Sequence, residues 1–175
     1  MSNELKELIG KTQAKFKADA GAAKATFASQ SALQEGFRSE VSIRQHQVTV
    51  DEPESLGGAD SGPNPVELIL ASLGSCQEIT YRAYATALGI HLENVSVKVE
   101  GDIDLRGFFA VDETVRAGYQ GIRATVHLES SAGEEQLQQL RDVVNAHCPV
   151  LDIVTNPVPV ELDLKITQIP VAAAA

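Results

Sequence analysis

The segment from Asn64 to Gly89 constrains the fold of this chain more strongly than any other. Asn64 fits as the N-cap of a helix, Pro65 as its first residue and Glu67 as its third. Gly89 provides a stop signal after Leu88. Apolar side chains occupy all sides of the first half of the segment, namely Leu68, Ile69, Leu70, Ala71 and Leu73. The pattern predicts a long helix that is buried on several faces.

Shorter segments around this helix predict an α+β fold with mostly antiparallel sheets. Strands are expected at 24–31, 36–44, 46–51, 92–105, 122–129 and 158–166, and a second amphipathic helix at 134–146. The insert 106–121, which contains Gly and aromatic residues, is expected to be a mobile loop near the functional site. Residues 1–23, with helical spacing at 4–17, are expected to form a mobile helical arm ahead of a single domain at 24–175.

Ahead of the long helix, the apolar positions change from odd (Val41, Ile43) to even (Val48, Val50). Side chains on a strand alternate between two faces, so such a change requires a break in the alternation. One inserted residue near Gln45 explains it, and the sequence predicts a turn or a bulge there.

Composition excludes several classes of function. A chain of 175 residues with 43% hydrophobic content is long enough for one core and short for two. The net charge of −10 disfavours nucleic acid and anionic membranes, because both are bound through clustered Lys and Arg. Charges within Met1–Ile9 do not fit a signal peptide, and no stretch approaches the roughly 18 apolar residues of a membrane span. We therefore expect a cytoplasmic protein that binds neither nucleic acid nor a membrane.

Cys76 and Cys148 are the only two cysteines, and they suggest redox chemistry rather than a disulfide scaffold. The cytoplasm keeps thiols reduced, so a pair that oxidises there is transient and catalytic. A thiolate attacks the terminal oxygen of a peroxide and becomes a sulfenic acid, which a second thiol traps as a disulfide. Cys76 lies too far inside its helix to gain from the helix dipole, so its thiolate needs a neighbouring cation.

Five motifs stand in a characteristic order along the chain. They are Asp51-Glu52-Pro53, Gly57-Gly58, Gly62-Pro63-Asn64-Pro65-Val66-Glu67-Leu68, Leu73-Gly74-Ser75-Cys76 and His147-Cys148-Pro149-Val150. Together they resemble the osmotically inducible protein C (OsmC) family, which includes the organic hydroperoxide resistance proteins. The resemblance covers about residues 36–166.

The resemblance implies an OsmC-like α+β fold in an intertwined homodimer, with sheets wrapped around two central helices and active sites at the subunit interface. It implies reduction of organic hydroperoxides by Cys76 as the peroxidatic and Cys148 as the resolving cysteine. In this family external dithiols, often on lipoylated proteins, regenerate the pair, and no metal, flavin or haem is needed. Family members place an arginine from an early strand beside the peroxidatic sulfur. Arg44 is the first candidate for that position and Arg38 the second.

The chain departs from the best-characterised branches, which carry a glutamate directly after Asn-Pro to hold the arginine. This chain has Val66 there, and Glu67, one residue later, lies about 100° further around the helix. Glu67 is thus a supporting candidate whose other role is to cap the helix. Leu151-Asp152 follows Cys148-Pro149-Val150 where those branches tend to place a serine. We therefore expect a less characterised OsmC-like branch.

Several of these candidate residues also have a purely structural interpretation. Cys76 is also compatible with a small core residue, and Arg44 with a solvated strand residue. His46 is a further supporting candidate, but it and His147 fit hydrogen-bonded structural groups better than bases. No metal-ligand spacing links the four histidines to the cysteines, so no zinc site is expected.

The leading hypothesis is a thiol-dependent peroxidase for alkyl or lipid hydroperoxides, with Phe108 and Phe109 lining a pocket for the alkyl group. Two alternatives remain open. One is a non-catalytic dimer that binds a small apolar or acyl ligand, with the cysteines incidental. The other is a redox sensor that forms the Cys76–Cys148 disulfide stoichiometrically without turnover.

Overall fold

The computed structural model describes residues 3–168, so Met1 and Ser2 of the predicted arm and 169–175 of the predicted domain lie outside it. Its helices are α1 (Asn3–Ala18), α2 (Pro65–Leu88), α3 (Leu105–Phe108), α4 (Glu134–His147) and α5 (Pro149–Thr155). Its strands are β1 (Gln30–Leu33), β2 (Ser39–Ile43), β3 (His46–Val50), β4 (Asn94–Ile103) and β5 (Tyr119–Glu129). Every strand pairing is antiparallel, which confirms the predicted α+β class.

Helix α2 begins and ends where the sequence predicts. The Asn64 side chain accepts a hydrogen bond from the Glu67 backbone N–H at 2.9 Å, and the Glu67 carboxylate accepts one from the Asn64 N–H at 2.9 Å. At the other end Gly89 adopts the left-handed conformation, with φ of 72°. The reciprocal cap between Asn64 and Glu67 satisfies N–H groups that the first turn leaves without helical partners, so α2 starts at a fixed residue.

The core lies where α2 packs against β4, β5 and α4. Its buried side chains are Tyr81, Ala85, Ile90, Leu92, Leu140 and Val144. Gly74 faces β4, since a Cβ there would make an ordinary van der Waals contact with Val99 Cγ2 at 3.4 Å. Ile69 and Ile79, by contrast, are exposed. In the single chain α2 is therefore covered on only part of its circumference, less than its apolar pattern predicts.

Strands β1, β2 and β3 form one sheet, and β4 and β5 form another. Val41 pairs with Val48 and Ile43 with His46, so the two residues between β2 and β3 make a tight turn. Arg44, the first of them, has φ of 56°. The change of apolar parity thus comes from a hairpin turn rather than from an inserted residue.

Three predicted elements differ from the structure. Residues 158–166 form no strand, and within residues 3–168 no strand pairs with them. The whole segment is exposed, and apolar side chains occupy every second position of it, at Val158, Val160, Leu162, Leu164 and Ile166. The insert 106–121 is not a plain loop, because α3 occupies its start. The first predicted strand, 24–31, is confined to β1 at 30–33.

Helix α5 is absent from the prediction. Pro149 ends α4, as expected, but it also becomes the first residue of α5. The N-terminal arm forms the predicted helix, and α1 contacts α2. Its half-buried residues Leu5 and Ile9 are one turn apart and so share one face.

The loop that leads into α2 is organised around one buried carboxylate. Asp51 accepts hydrogen bonds from the backbone N–H groups of Glu52 (2.9 Å), Ala59 (3.1 Å) and Ser61 (3.2 Å), and from the Ser61 hydroxyl (2.8 Å). The Ser61 hydroxyl is the main cause that holds the pKa of Asp51 below its usual value of 3.8, against the opposing effect of burial. Asp51 thereby fixes the segment that delivers Asn64 to the start of α2.

Asp51→Asn is expected to lower the thermal unfolding midpoint by several degrees at neutral pH, because an amide cannot accept all of these hydrogen bonds. Since the pKa of Asp51 is lowered by folding, the carboxylate stabilises the fold above its unfolded pKa. That stabilisation is lost as the pH falls below about 4. Circular dichroism melts across the acidic range should show a flatter loss of stability for the variant than for the wild type.

The matched control is Asp60→Asn in the same loop, because Asp60 is exposed and sits at φ of 53°, which asparagine tolerates. It should reproduce the wild-type curve. Parallel acid curves for Asp51→Asn and the wild type would show that Asp51 does not carry this pH dependence.

Candidate active site

The two cysteines meet, although 72 residues separate them in the sequence. Cys76 lies in the middle of α2 and is half-buried, and Cys148 is 1% exposed between α4 and α5. Their sulfurs are 3.3 Å apart, and both thiols are free. A disulfide bond is about 2.05 Å long, so closing one needs an approach of roughly 1.3 Å from the 3.3 Å separation.

Packing of α4 on α2 positions Cys148. Leu140 and Val144 are buried in the core and fix the axis of α4. At its C-terminus the His147 ring stacks on Tyr84 of α2, with ring centroids 5.3 Å apart. Pro149 then redirects the chain into α5. His147 thus has a packing role, in agreement with its expected structural function.

Burial raises the pKa of the Cys148 thiol, and the neighbouring Cys76 sulfur raises it further. The backbone N–H groups of Leu151 and Val150 act in the opposite direction. Cys148 in its thiol form donates a hydrogen bond to the Cys76 sulfur. Within residues 3–168 no Lys or Arg side chain forms a hydrogen bond with either sulfur.

The predicted arginines lie at the sheet formed by β1, β2 and β3. Arg44 occupies the exposed turn between β2 and β3, and its side chain forms no hydrogen bond or ion pair within residues 3–168. Arg38 lies next to β2 and pairs with Glu40 at 3.8 Å. His46 is exposed at the start of β3. In the described part of the chain no hydrogen bond links any of these side chains to either sulfur, so their roles stay predictions.

Glu67 has the role that its position in the helix predicts. It completes the capping box with Asn64, and it lies close enough to Tyr119 to raise the pKa of that phenol, after the larger effect of burial. The Tyr119 hydroxyl donates to the Val66 carbonyl oxygen at 2.9 Å. Glu67 therefore serves the start of α2, and no ion pair joins it to an arginine among the residues that the structure describes.

The cleft that Leu73 of α2 and Leu151 of α5 line does not include the predicted aromatic residues. Phe108 and Phe109 are exposed and pack edge to face on each other. The cleft of about 420 Å³ instead lies against Leu73, Arg116, Tyr119, Gln120, Gly121, Ile122, Leu151, Val154 and Thr155. The signal that sequence reasoning missed is the apolar spacing of Val150, Leu151 and Val154 after Pro149, which marks a short helix.

Within residues 3–168 no three His, Cys, Asp or Glu side chains are grouped as a metal site requires. Among the same residues, no helix combines the length and apolar composition needed to cross a membrane.

Comparison with known proteins identifies the family. The family model for OsmC-like proteins matches residues 58–163, which include both cysteines and the whole of α2. The chain belongs to the OsmC-like family. Comparison with curated proteins found no match.

Solved structures of similar fold include OsmC-like and organic hydroperoxide resistance proteins. An OsmC-like protein from Mycoplasma pneumoniae is 19% identical, with a TM-score of 0.67 over 77% of this chain and 90% of that one. The organic hydroperoxide resistance protein OsmC from Legionella pneumophila is 21% identical, with a TM-score of 0.57 over 74% and 89%. An organic hydroperoxide resistance protein from Elizabethkingia anophelis is 18% identical, with a TM-score of 0.57 over 77% and 91%. The TM-scores of these three structures show that the chain shares the OsmC-like fold.

Proposed function

We propose that this OsmC-like protein reduces organic hydroperoxides, with Cys76 as the nucleophile and Cys148 as the resolving thiol. The observation that carries the proposal is the 3.3 Å separation of two free sulfurs from distant parts of the chain. Family membership and the hydroperoxide resistance proteins among the structures of similar fold support it.

The proposed cycle moves two electrons through sulfur alone. The Cys76 thiolate attacks the terminal oxygen of the hydroperoxide, so that an S–O bond forms, the O–O bond breaks, and the alkoxide leaves and takes up a proton as the alcohol. Cys148 then attacks the sulfenic sulfur, which forms the disulfide and releases water. An external dithiol, free or on a lipoylated protein, reduces the disulfide and becomes a disulfide itself. The cycle needs no metal, flavin or haem, and it fits a reducing cytoplasm.

The active form is proposed to be a homodimer. The exposed apolar residues Ile69 and Ile79 on α2 leave a face of this helix without cover. Residues 158–166 present a further apolar row, with which no strand of the described residues 3–168 pairs. A second copy of the chain can cover both surfaces, since stable interfaces bury on the order of 1,600 Å² and bring apolar surface out of water.

Dimerisation also offers a cation for the site, where no cationic side chain of residues 3–168 forms a hydrogen bond with either sulfur. The Arg44 guanidinium stands free on an exposed turn, and the arginine position of the family lies beside the peroxidatic sulfur. We propose that assembly of two chains brings Arg44 to Cys76, where its charge stabilises the thiolate and the departing alkoxide.

The proposal predicts that one equivalent of an alkyl hydroperoxide lowers the intact mass of the reduced protein by two hydrogens. Peptide mapping should assign that loss to a bond between Cys76 and Cys148, because the sulfurs are already close. A dithiol should restore the original mass, and repeated cycles should consume hydroperoxide in excess of protein. Hydrogen peroxide at the same concentration provides a control for preference toward organic substrates.

The same experiment separates the alternatives. A disulfide that forms once and never supports turnover with any dithiol would indicate a redox sensor. An unchanged mass after hydroperoxide, together with an acyl ligand retained through purification, would indicate the non-catalytic binding module.

A further inference from the structure

The cleft near the sulfurs has an apolar wall that both cysteine-bearing elements help to build. Leu73 lies three residues before Cys76 on α2, and Leu151 lies three residues after Cys148 on α5. One helical turn is about 5.4 Å, so each leucine stands within roughly a turn of its cysteine. The cleft has a volume of about 420 Å³, which falls within the roughly 300–1,000 Å³ of small-ligand sites. The cleft therefore has the size and position to hold the organic part of a substrate.

One arginine gives this cleft a charged side. Arg116 lines it and is exposed to solvent. Two acidic residues of the same segment are engaged elsewhere, because Arg106 pairs with Asp104 at 2.5 Å and with Asp112 at 3.3 Å. Arg116 itself forms no ion pair or side-chain hydrogen bond within residues 3–168. A guanidinium without a partner carboxylate is available to pair with the carboxylate of a ligand.

The backbone that carries Arg116 is held in place. Gly107 of α3 lies so close to it that an added Cβ would stand 2.5 Å from the Arg116 carbonyl oxygen and 2.7 Å from that of Val115. Such contact fixes the base of the side chain at the edge of the cleft. A positioned, planar donor is what bidentate recognition of a carboxylate requires.

We propose that Arg116 binds the carboxylate of an aliphatic hydroperoxy acid whose chain lies in the cleft between Leu73 and Leu151, so that this enzyme prefers anionic hydroperoxides to neutral ones. This inference rests on the proposed peroxidase function. Arg116 is assigned to the carboxylate end of the substrate, because it lines the cleft whereas neither cysteine does. It is thus a specificity residue, distinct from the cation proposed to stabilise the thiolate.

The test compares two substrates that differ only in charge. They are octanoic acid with a hydroperoxide at the end remote from the carboxylate, and the methyl ester of the same compound. Wild-type kcat/KM should be about tenfold higher for the acid, in line with a hydrogen bond to a charged group. Arg116→Met should remove the preference by lowering the rate with the acid, and Arg116→Lys should keep part of it. Arg141→Gln, which removes an exposed arginine outside the cleft, should behave as the wild type does.

A binding measurement makes the inference independent of turnover. Octanoate and octanol, which cannot react, are titrated into the wild type and Arg116→Met by isothermal calorimetry. Octanoate should bind the wild type about tenfold more tightly than it binds the variant, whereas octanol should bind both equally. Equal octanoate affinity for the two proteins, or an acid preference that survives in Arg116→Met, would overturn the role of Arg116. If the wild type reduces no hydroperoxide but still binds octanoate in an Arg116-dependent way, the peroxidase proposal is wrong and the role of Arg116 in anion binding stands.

Discussion

Replacement of Cys76 by serine is expected to lower the rate of hydroperoxide reduction by ~10³-fold or more, the scale of losing a covalent nucleophile. A serine hydroxyl is not ionised near neutral pH and is a poor nucleophile toward a peroxide oxygen. The fold should persist, because Cys76 is half-buried and serine differs from it by one atom. Hydroperoxide consumption with a dithiol, measured at equal protein concentration, gives the result directly, and circular dichroism checks the fold.

Cys148→Ala is the informative companion, because it removes the second sulfur and leaves the first. This variant should still reduce one equivalent of hydroperoxide and then accumulate the Cys76 sulfenic acid, which dimedone traps as an adduct visible in the intact mass. Alanine avoids placing a hydroxyl without a partner at a site that is 1% exposed. Wild-type turnover in Cys76→Ser, or a dimedone adduct at any other residue, would remove Cys76 from the mechanism.

Local sequence signals predicted α2 almost to the residue. Its start depends on Asn64, Pro65 and Glu67, which lie within a single turn, and its end depends on Gly89. Such signals act between neighbours in the chain, so no tertiary contact is needed to interpret them. The prediction for 134–146 was accurate for the same reason, because α4 has one apolar face that repeats every three to four residues.

Predictions that depend on distant partners were less complete. Residues 158–166 alternate as a strand does, yet a strand forms only where another edge is present to pair with it. The same limit applies to the site. Motif order identified Cys76 and Cys148, but their separation follows from the packing of α4 on α2, through residues such as Leu140 that carry no chemical signal. Arg116 was missed because only the folded chain places it on one cleft with Leu73 and Leu151.

The double substitution Leu162→Lys and Leu164→Lys is expected to convert the proposed dimer to a monomer and to abolish hydroperoxide reduction with it. These side chains are 94% and 82% exposed in the single chain, so a monomeric protein should tolerate the change within about 0.5 kcal/mol. If they are buried against a second chain, each leucine contributes about 1.5–3 kcal/mol that lysine cannot supply. Light scattering coupled to size-exclusion chromatography measures the mass, and the dithiol-dependent assay measures activity on the same fractions.

The intervening residues of the same segment supply the control. Glu161→Gln with Asp163→Asn raises the net charge by the same two units, but it alters the opposite face of an extended segment. This variant should remain dimeric and active, because the polar face points away from the proposed interface. A wild type that is monomeric yet fully active would show that the exposed leucines have no part in assembly, and that the cation for Cys76 must come from within one chain. A dimer that survives the leucine substitutions would place the interface elsewhere, with the exposed isoleucines of α2 as the next surface to change.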